Sequence, residues 1–362
     1  MIITRNNTRP IKVGNVTIGG GAQISVQSMT KAPTTNIVEV LNQIETAMTA
    51  GCDIMRVSVP DDKSAVALQQ IVKNSPLPIV ADIHFDYRLA LAAIEAGVQK
   101  LRINPGNIGS RERVKAVAEA ASQKNIPIRI GVNAGSLPKD ILQSFGNPTP
   151  EAMLASAERE IGILNDCSFE NIVVSLKSSS PKDTLEANVQ FAQKYDYPLH
   201  IGITEAGFGY QGLIASAVGL TQILSNGIGD TVRVSLAEEP VHEVRLAREI
   251  LRFMDLREYG IRLICCPKCA RCEADTFSIT REIWEKIRDI KKPITVAVMG
   301  CVVNGPGEAS HADIGVAIGK KQALIFKKGK TIGKIPLSMI VEDLTELIGE
   351  IASSANRSAS SQ

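Results

Sequence analysis

From residue 24 to 236 the chain alternates short β-branched runs with polar loops and amphipathic stretches of helical spacing. The runs are ISVQS (24–28), IMRVSV (54–59), IVADIH (79–84), KLRIN (100–104), IRIGVN (128–133), IVVSLK (172–177), HIGIT (200–204) and TVRVSL (231–236). Strands that alternate with helical stretches predict βαβ units and a parallel sheet. Eight such units in this span predict a (β/α)₈ barrel of the TIM type rather than a doubly wound sheet. The longest gap, between the fifth and sixth runs, receives its helix from GNPTPEAMLASAEREIGIL. Ahead of the first run, RPIKVGNVTIGGGA reads as a β-hairpin closing the barrel bottom.

HEVRLAREILRFM (242–254) completes the eighth unit, and then the pattern changes. A cysteine loop, a helix around FSITREIWEKIRDI, a strand ITVAVMG, the segment ADIGVAIG, a basic hairpin ALIFKKGKTIGKIP and a final helix MIVEDLTELIGEIA predict a smaller α/β domain. The expected division is residues 1–256 for the barrel, 257–352 for the second domain and 353–362 for a disordered tail, SSANRSASSQ, with too little apolar content to fold.

Of the 362 residues 44% are hydrophobic, which supplies an ample aliphatic core. The net charge of +2 gives no basic surface for nucleic acid or an anionic membrane. No apolar stretch is long enough to span a bilayer, and MIITRNNTRP lacks a signal-peptide pattern, so the cytoplasm is the expected location. In that reducing setting clustered cysteines read as metal ligands or catalytic groups rather than disulfides. Cys52 and Cys167 stand apart from the cluster and read as packing residues.

Charge matters most inside the barrel. Strands buried on both faces are expected to be aliphatic, yet four carry Arg56, Arg102, Arg129 and Arg233, and the sixth ends in Lys177. Others end in Asp82 and His84, Asn104, Asn133, and Thr204-Glu205. Internal pairs such as Arg56 with Asp82, or Arg233 with Glu205, neutralise only part of the set. Active sites of such barrels lie at the C-terminal strand ends, so the excess of cations predicts a small, multiply anionic ligand, phosphate esters above all. GFGYQG (207–212) matches a dinucleotide fingerprint, but Asp230 precedes its strand instead of closing it. In the seventh βα loop it reads as a phosphate-approaching glycine loop, with a plain flexible loop as the alternative.

LICCPKCARCEADT (263–276) holds Cys265, Cys266, Cys269 and Cys272. A Cys266/Cys269 pair, a Cys266/Cys269/Cys272 series and a radical-enzyme C-x-x-x-C-x-x-C from Cys265 are all open by spacing. The last fails on position, because it belongs after the first barrel strand. In GCVVNGPGEA (300–309) Cys301 follows a strand, and Asn304-Gly305-Pro306-Gly307 folds Glu308 back toward it. Cysteines from two loops with a nearby oxygen ligand describe a metal site that is not fully closed. Zinc remains open on this chemistry.

CPKC with GCVVNGPGEA, preceded by QSMT, RVSVP, ADIHFDYRLA, LRINPGNIG, RIGVNAGSL, LHIGITEAG and GIGDTVRVSL, resembles the 4-hydroxy-3-methylbut-2-enyl diphosphate synthases. These are iron–sulfur oxidoreductases of the methylerythritol phosphate route to isoprenoids. The resemblance covers nearly the whole chain, and the absence of room for an inserted domain matches the shorter, two-domain bacterial form. It implies a [4Fe–4S] cluster on Cys266, Cys269 and Cys301, with Glu308 on the fourth iron. Cys265 and Cys272 depart from the family pattern, and Cys272 leaves an all-thiolate set open. The implied reaction is reductive opening of 2-C-methyl-D-erythritol 2,4-cyclodiphosphate.

By motif position the resemblance makes Arg56, His84, Arg102, Asn104, Arg129, Asn133, Lys177, Arg233 and Ser235 the substrate cradle, with Glu205 or His84 as proton donor. His200, at a strand start, reads as structural. The last barrel helix returns the chain to the barrel bottom, away from the mouth. A homodimer in which each cluster domain caps the other subunit's barrel resolves this, and the resemblance implies it. Electrons are expected from flavodoxin or ferredoxin. The rival readings are a zinc-stabilised barrel transferase acting on a phosphorylated or pterin-like substrate, and an iron–sulfur carrier fused to a degenerate barrel.

Overall fold

The computed structural model describes residues 3–267, 269, 272, 274–301, 307 and 309–354. It comprises two compact units, Met1–Arg257 and Glu258–Gln362.

The first unit opens with a hairpin, β1 (Ile11–Val13) and β2 (Val16–Ile18). Eight parallel strands follow: β3 (Ser25–Met29), β4 (Ile54–Ser58), β5 (Ile79–Asp82), β6 (Lys100–Ile103), β7 (Ile128–Asn133), β8 (Ile172–Lys177), β9 (His200–Ile201) and β10 (Thr231–Val232). Their order is β8-β7-β6-β5-β4-β3-β10-β9, and a parallel bridge between Val174 and Leu199 joins the two edges. The sheet is therefore a barrel. The last two strands are shorter than their β-branched runs suggest, and in the loop after β9 Glu205 adopts φ 51°.

Between the strands lie α1 (Ile37–Thr49), α2 (Asp62–Asn74), α3 (Tyr87–Glu95), α4 (Pro105–Ile108), α5 (Arg111–Gln123), α6 (Lys139–Phe145), α7 (Pro150–Asn165), α8 (Pro181–Lys194), α9 (Gly209–Ser225) and α10 (Pro240–Phe253). Their starts are legible locally. Asp61, Thr149 and Ser180 each accept a hydrogen bond from a first-turn amide, and Pro150 and Pro181 occupy opening positions where no amide donor is needed.

Strand alternation sorts side chains into two environments. Leu101, Ile103, Ile128, Ile130, Val174 and Leu176 face the helices in one continuous apolar core. Lys100, Arg102, Arg129 and Lys177 occupy the intervening positions and are buried inside the barrel. The hairpin supplies Val13 and Ile18, which pack with Ile54 and Val80 as a separate apolar plug. At the N-terminal end of β3 and β4, Arg257 donates to Ile24 O (3.1 Å) and Asp53 Oδ1 (2.9 Å). The first unit thus ends pinned at the barrel bottom.

The second unit is a five-stranded sheet in sequential order: β11 (Ile261–Cys265), β12 (Ile294–Met299), β13 (Ile314–Ile318), β14 (Gln322–Lys327) and β15 (Lys330–Pro336). The first three run parallel and the last two complete antiparallel pairs. Helices α11 (Thr276–Ile287) and α12 (Ile340–Ser353) bring Ile283, Ile287, Ile340, Leu344 and Ile348 against one face. Strand β11 is the element that the sequence pattern hides, since its five residues run directly into the cysteines. Helix α12 runs to Ser353, the first residue of the expected tail; residues 355–362 lie outside the described ones.

The plug carries a stability prediction. Ile18 is fully buried against Val13, Ile54 and Val80, so Ile18→Ala leaves a cavity that costs about 2–5 kcal/mol. Chemical denaturation of the purified variant measures this loss.

Candidate active site

Six cations point into the barrel: Lys100 and Arg102 from β6, Arg56 from β4, Arg129 from β7, Lys177 from β8, and Arg233 just after β10. The one carboxylate standing among them on the strands is Asp82 of β5, which is 4% exposed. Its oxygens lie 3.8 Å from Arg56 Nε, 3.5 Å from Arg102 Nη1 and 3.4 Å from His84 Nε2. Burial acts to raise the Asp82 carboxyl, but Arg56, His84 and Arg102 outweigh it and hold the group well below the usual carboxylate range. Asp82 is therefore an ionised hub that orients cations without cancelling them.

Arg102 is the best-fixed member. Its Nη1 lies 3.1 Å from His84 Nδ1, and its Nη2 donates to Gly131 O at 3.0 Å. A Cβ on Gly131 would stand 2.5 Å from Arg102 Nε, so glycine in mid-strand is what lets the guanidinium lie across β7. Asn104 Oδ1 accepts the Gly131 amide at 3.0 Å, which leaves the Asn104 NH₂ as the free donor. Glu160 of α7 clamps the following loop by accepting Gly106 N at 2.6 Å. A similar accommodation serves Lys177, whose Nζ would lie 2.9 Å from a Cβ on Gly202.

Arg233 does not meet Glu205. Its Nε lies 3.7 Å from Glu243 Oε2 of α10, and its basicity is lowered to about 10, chiefly by burial and then by Arg56. Glu243 is a buried junction that also accepts from Lys31 Nζ (3.0 Å), Ser28 Oγ (2.8 Å) and Leu236 N (3.0 Å). Arg129 has Nε and Nη1 without a hydrogen-bond partner among the described residues. Burial, then Arg56 and Arg102, push it well below its ordinary value.

The remaining sequence-named residues surround this core. Asn133 closes β7 and Ser235 follows β10, both half-buried, while His84 is exposed on the loop after β5. Glu205 is exposed, and its positive φ of 51° is a strained conformation for a residue with a side chain. The glycine loop also has a packing role. Gly209 N donates to Glu238 Oε1 at 3.1 Å, and a Cβ on Gly212 would meet Leu236 at 2.6 Å. His200 is fully buried beside Thr231.

Three residues escaped sequence reasoning. Lys100 is fully buried with Nζ unpartnered among the described residues, and Gln27 of β3 is buried with both amide atoms unpartnered. Burial first, then Arg129 and Arg56, hold the Lys100 amine well below the usual lysine value. Its signal was present: the alternation that turns Arg102 inward also turns in the residue two places earlier. Glu243 was equally legible, lying on the buried stripe of α10 with Pro240, Val244 and Ala247.

In the second unit, β11 and β12 are parallel neighbours, so Cys266, just after β11, and Cys301, just after β12, leave the same end of the sheet. Cys266 N donates to Val298 O at 3.1 Å, and Cys272 N donates to Cys269 O at 2.9 Å, turning the loop back. Cys272 Sγ then lies against Gly300, where a Cβ would stand 2.2 Å away, and 3.5 Å from Thr276 Oγ1. Buried Ala309 packs in the same small apolar group as Cys266. Glu308 itself lies outside the described residues. Among the described residues no three His, Cys, Asp or Glu side chains are already gathered around a metal position. By donor type the thiols at this sheet end fit iron–sulfur or zinc.

Fold and site together define a barrel protein with an enclosed cluster of cations, joined to an α/β unit with a cysteine-bearing sheet end. The GcpE TIM-barrel domain model matches residues 8–248 and the GcpE protein C-terminal domain matches residues 262–350. The chain belongs to the GcpE family, the 4-hydroxy-3-methylbut-2-enyl diphosphate synthases. A relative from Geobacillus thermodenitrificans (strain NG80-2), named 4-hydroxy-3-methylbut-2-en-1-yl diphosphate synthase (flavodoxin), is 52% identical over 97% of this chain and 94% of its own. One from Clostridium perfringens (strain 13 / Type A), with the same name, is 50% identical over 96% of this chain and 100% of its own. Among solved structures, a Burkholderia cenocepacia dihydropteroate synthase aligns with 70% of this chain and 97% of its own at a TM-score of 0.49 and 14% identity. That level of likeness bears on neither substrate nor mechanism.

Gly131→Ala tests the cradle geometry. The nearest obstacle is the end of the Arg102 side chain and not backbone, so the fold should be retained while the guanidinium is displaced. Thermal unfolding is expected to change by less than about 1 kcal/mol, the usual scale of a tolerated swap. Affinity for sulfate or a diphosphate, measured by calorimetry, should fall at least about tenfold, a loss of roughly 1.4 kcal/mol.

Proposed function

We propose that this chain catalyses the reductive opening of 2-C-methyl-D-erythritol 2,4-cyclodiphosphate to 4-hydroxy-3-methylbut-2-enyl diphosphate, consuming two electrons and releasing water. What carries the reading is identity of 50–52% over nearly the whole chain to synthases of that name, in a barrel whose mouth is polycationic. The zinc transferase reading has no comparable support.

In this reading Arg56, Arg102, Arg129, Lys177 and Arg233 hold the diphosphate oxygens, with Asn104, Asn133 and Ser235 donating hydrogen bonds around them. Enclosure strengthens each contact, because little water competes for the charge. Asp82 keeps Arg56 and Arg102 aimed. Glu205, strained and exposed on the loop after β9, delivers a proton to a leaving oxygen, and His84, beside Arg102, is the alternative donor. A [4Fe–4S] cluster held by Cys266, Cys269, Cys301 and Glu308 supplies single electrons and a Lewis-acidic iron when bound. Cys272, turned toward Gly300 and Thr276, is left out of that set. Flavodoxin, which appears in the relatives' name, is the electron donor we favour over ferredoxin.

We further propose a homodimer in which the second unit of each chain covers the barrel mouth of the other. The first unit ends at the barrel bottom through Arg257 and Asp53, whereas Phe85 and Phe208 are 75% and 69% exposed on the loops after β5 and β9, at the mouth.

Two experiments test these proposals. Protein purified under argon is expected to be brown and to turn over the cyclic diphosphate with reduced flavodoxin. Arg129→Met should keep the colour but weaken substrate binding by about 1.5–3 kcal/mol, the worth of a hydrogen bond to a charged group. A colourless, inactive wild type overturns the assignment. For the assembly, mixing Cys266→Ala subunits with Arg129→Met subunits should restore part of the activity in heterodimers, since one composite site is intact. Confirmed heterodimers without recovery would show that each chain completes its own site.

A further inference from the structure

The inward cations are not equivalent. Arg102, Arg56 and Arg233 each stand near a carboxylate, Asp82 or Glu243. Lys100 stands near none. It lies one inward position below Arg102 on β6, in register with Val80 of the apolar plug, so hydrophobic packing closes the barrel beneath it. Its Nζ is fully enclosed and finds no hydrogen-bond partner among the described residues.

The charged and titratable groups that bear on it come from three other strands: Arg56 of β4, Arg129 of β7 and His200 of β9. None of these is an acid, and the Asp82 carboxylate is taken up by Arg56, Arg102 and His84. Such crowding has to be relieved somewhere. Guanidinium groups do not give up their protons, so Arg129 stays charged despite its burial. The amine of lysine can. Burial and the repulsion of Arg129 and Arg56 both act in that direction on Lys100.

We propose that Lys100 is a proton-linked residue of the anion site: uncharged in the empty barrel, it takes up a proton as a multiply anionic ligand enters the mouth above it. The inference rests on the barrel mouth being the diphosphate site. Lys100 is a positioning residue in this scheme; it balances charge from below and need not touch the ligand. The arriving negative charge offsets Arg56 and Arg129, which removes the repulsion that keeps the amine neutral. The proton comes from solvent on the mouth side, since the plug seals the floor. By linkage, uptake of a proton on binding makes affinity fall as pH rises. The slope is about tenfold per pH unit between the titration points of the empty and occupied states, and flat outside them.

Calorimetric titration in buffers of different ionisation enthalpy counts the protons. The ligands are 2-C-methyl-D-erythritol 2,4-cyclodiphosphate and, in parallel, sulfate, both fully ionised well below neutral pH, so uptake belongs to the protein. Wild type is expected to take up protons with each ligand; Lys100→Met and Lys100→Gln should take up about one fewer and lose the matching part of the pH dependence. Wild type binding with no uptake overturns the proposal, as do variants with unchanged uptake and pH profile. If sulfate binds with uptake but the cyclic diphosphate does not bind, the functional reading fails while the role of Lys100 stands. Should both variants fail to fold, Lys100→Arg, which keeps its proton, takes their place and should likewise take up about one proton fewer.

Discussion

Positive charge enclosed in a barrel has to be answered by something. Inside the first unit six cationic side chains, Arg56, Lys100, Arg102, Arg129, Lys177 and Arg233, share the space with Asp82, and Glu243 reaches in only from the helix behind. A buried, unpaired charge is among the most costly features a fold can carry. The structure manages the cost by distributing it. Asp82 and Glu243 each serve several donors, Gly131 leaves room for a guanidinium to lie flat, and Gly202 leaves room for Lys177. What remains uncompensated is the affinity for an anion.

That arrangement shapes the architecture around it. A barrel of this kind ordinarily fills its interior with branched aliphatic side chains; here the apolar core lies mainly between strands and helices. Part of the apolar filling inside the barrel lies at the floor, where Val13 and Ile18 of the hairpin meet Ile54 and Val80. The hairpin thus adds to the inward residues Ile54 and Val80 at the floor, while most inward positions above carry polar groups. Apolar packing sits at the bottom and on the outside, and the enclosed charge sits above.

The second unit solves a different problem with the same device. Parallel strands β11 and β12 release their chains at one end, which gathers cysteines that are 35 residues apart, Cys266 and Cys301, without any disulfide. The apolar groups on both faces of the sheet fix the strands, while the thiols lie beyond them on loops. Loops tolerate the adjustment that ligand binding demands, and metal binding itself contributes to closing such a site.

The alternation of β-branched runs with helical stretches determined the barrel, because strand burial on the helix side demands aliphatic residues at every second place whatever the surroundings. It also exposed Arg56, Arg102, Arg129 and Arg233 as anomalies, since no soluble fold buries such residues without purpose. Motif spacing placed the cysteines and carried the family resemblance. The tertiary structure decided the pairings. That Arg233 answers to Glu243 and not Glu205, that the glycine loop donates to Glu238, and that Lys100 stands beneath Arg102 without a partner all depend on which side chains converge across strands far apart in sequence. Electrostatic energy depends on distance in space, and a linear pattern fixes only which way each side chain points.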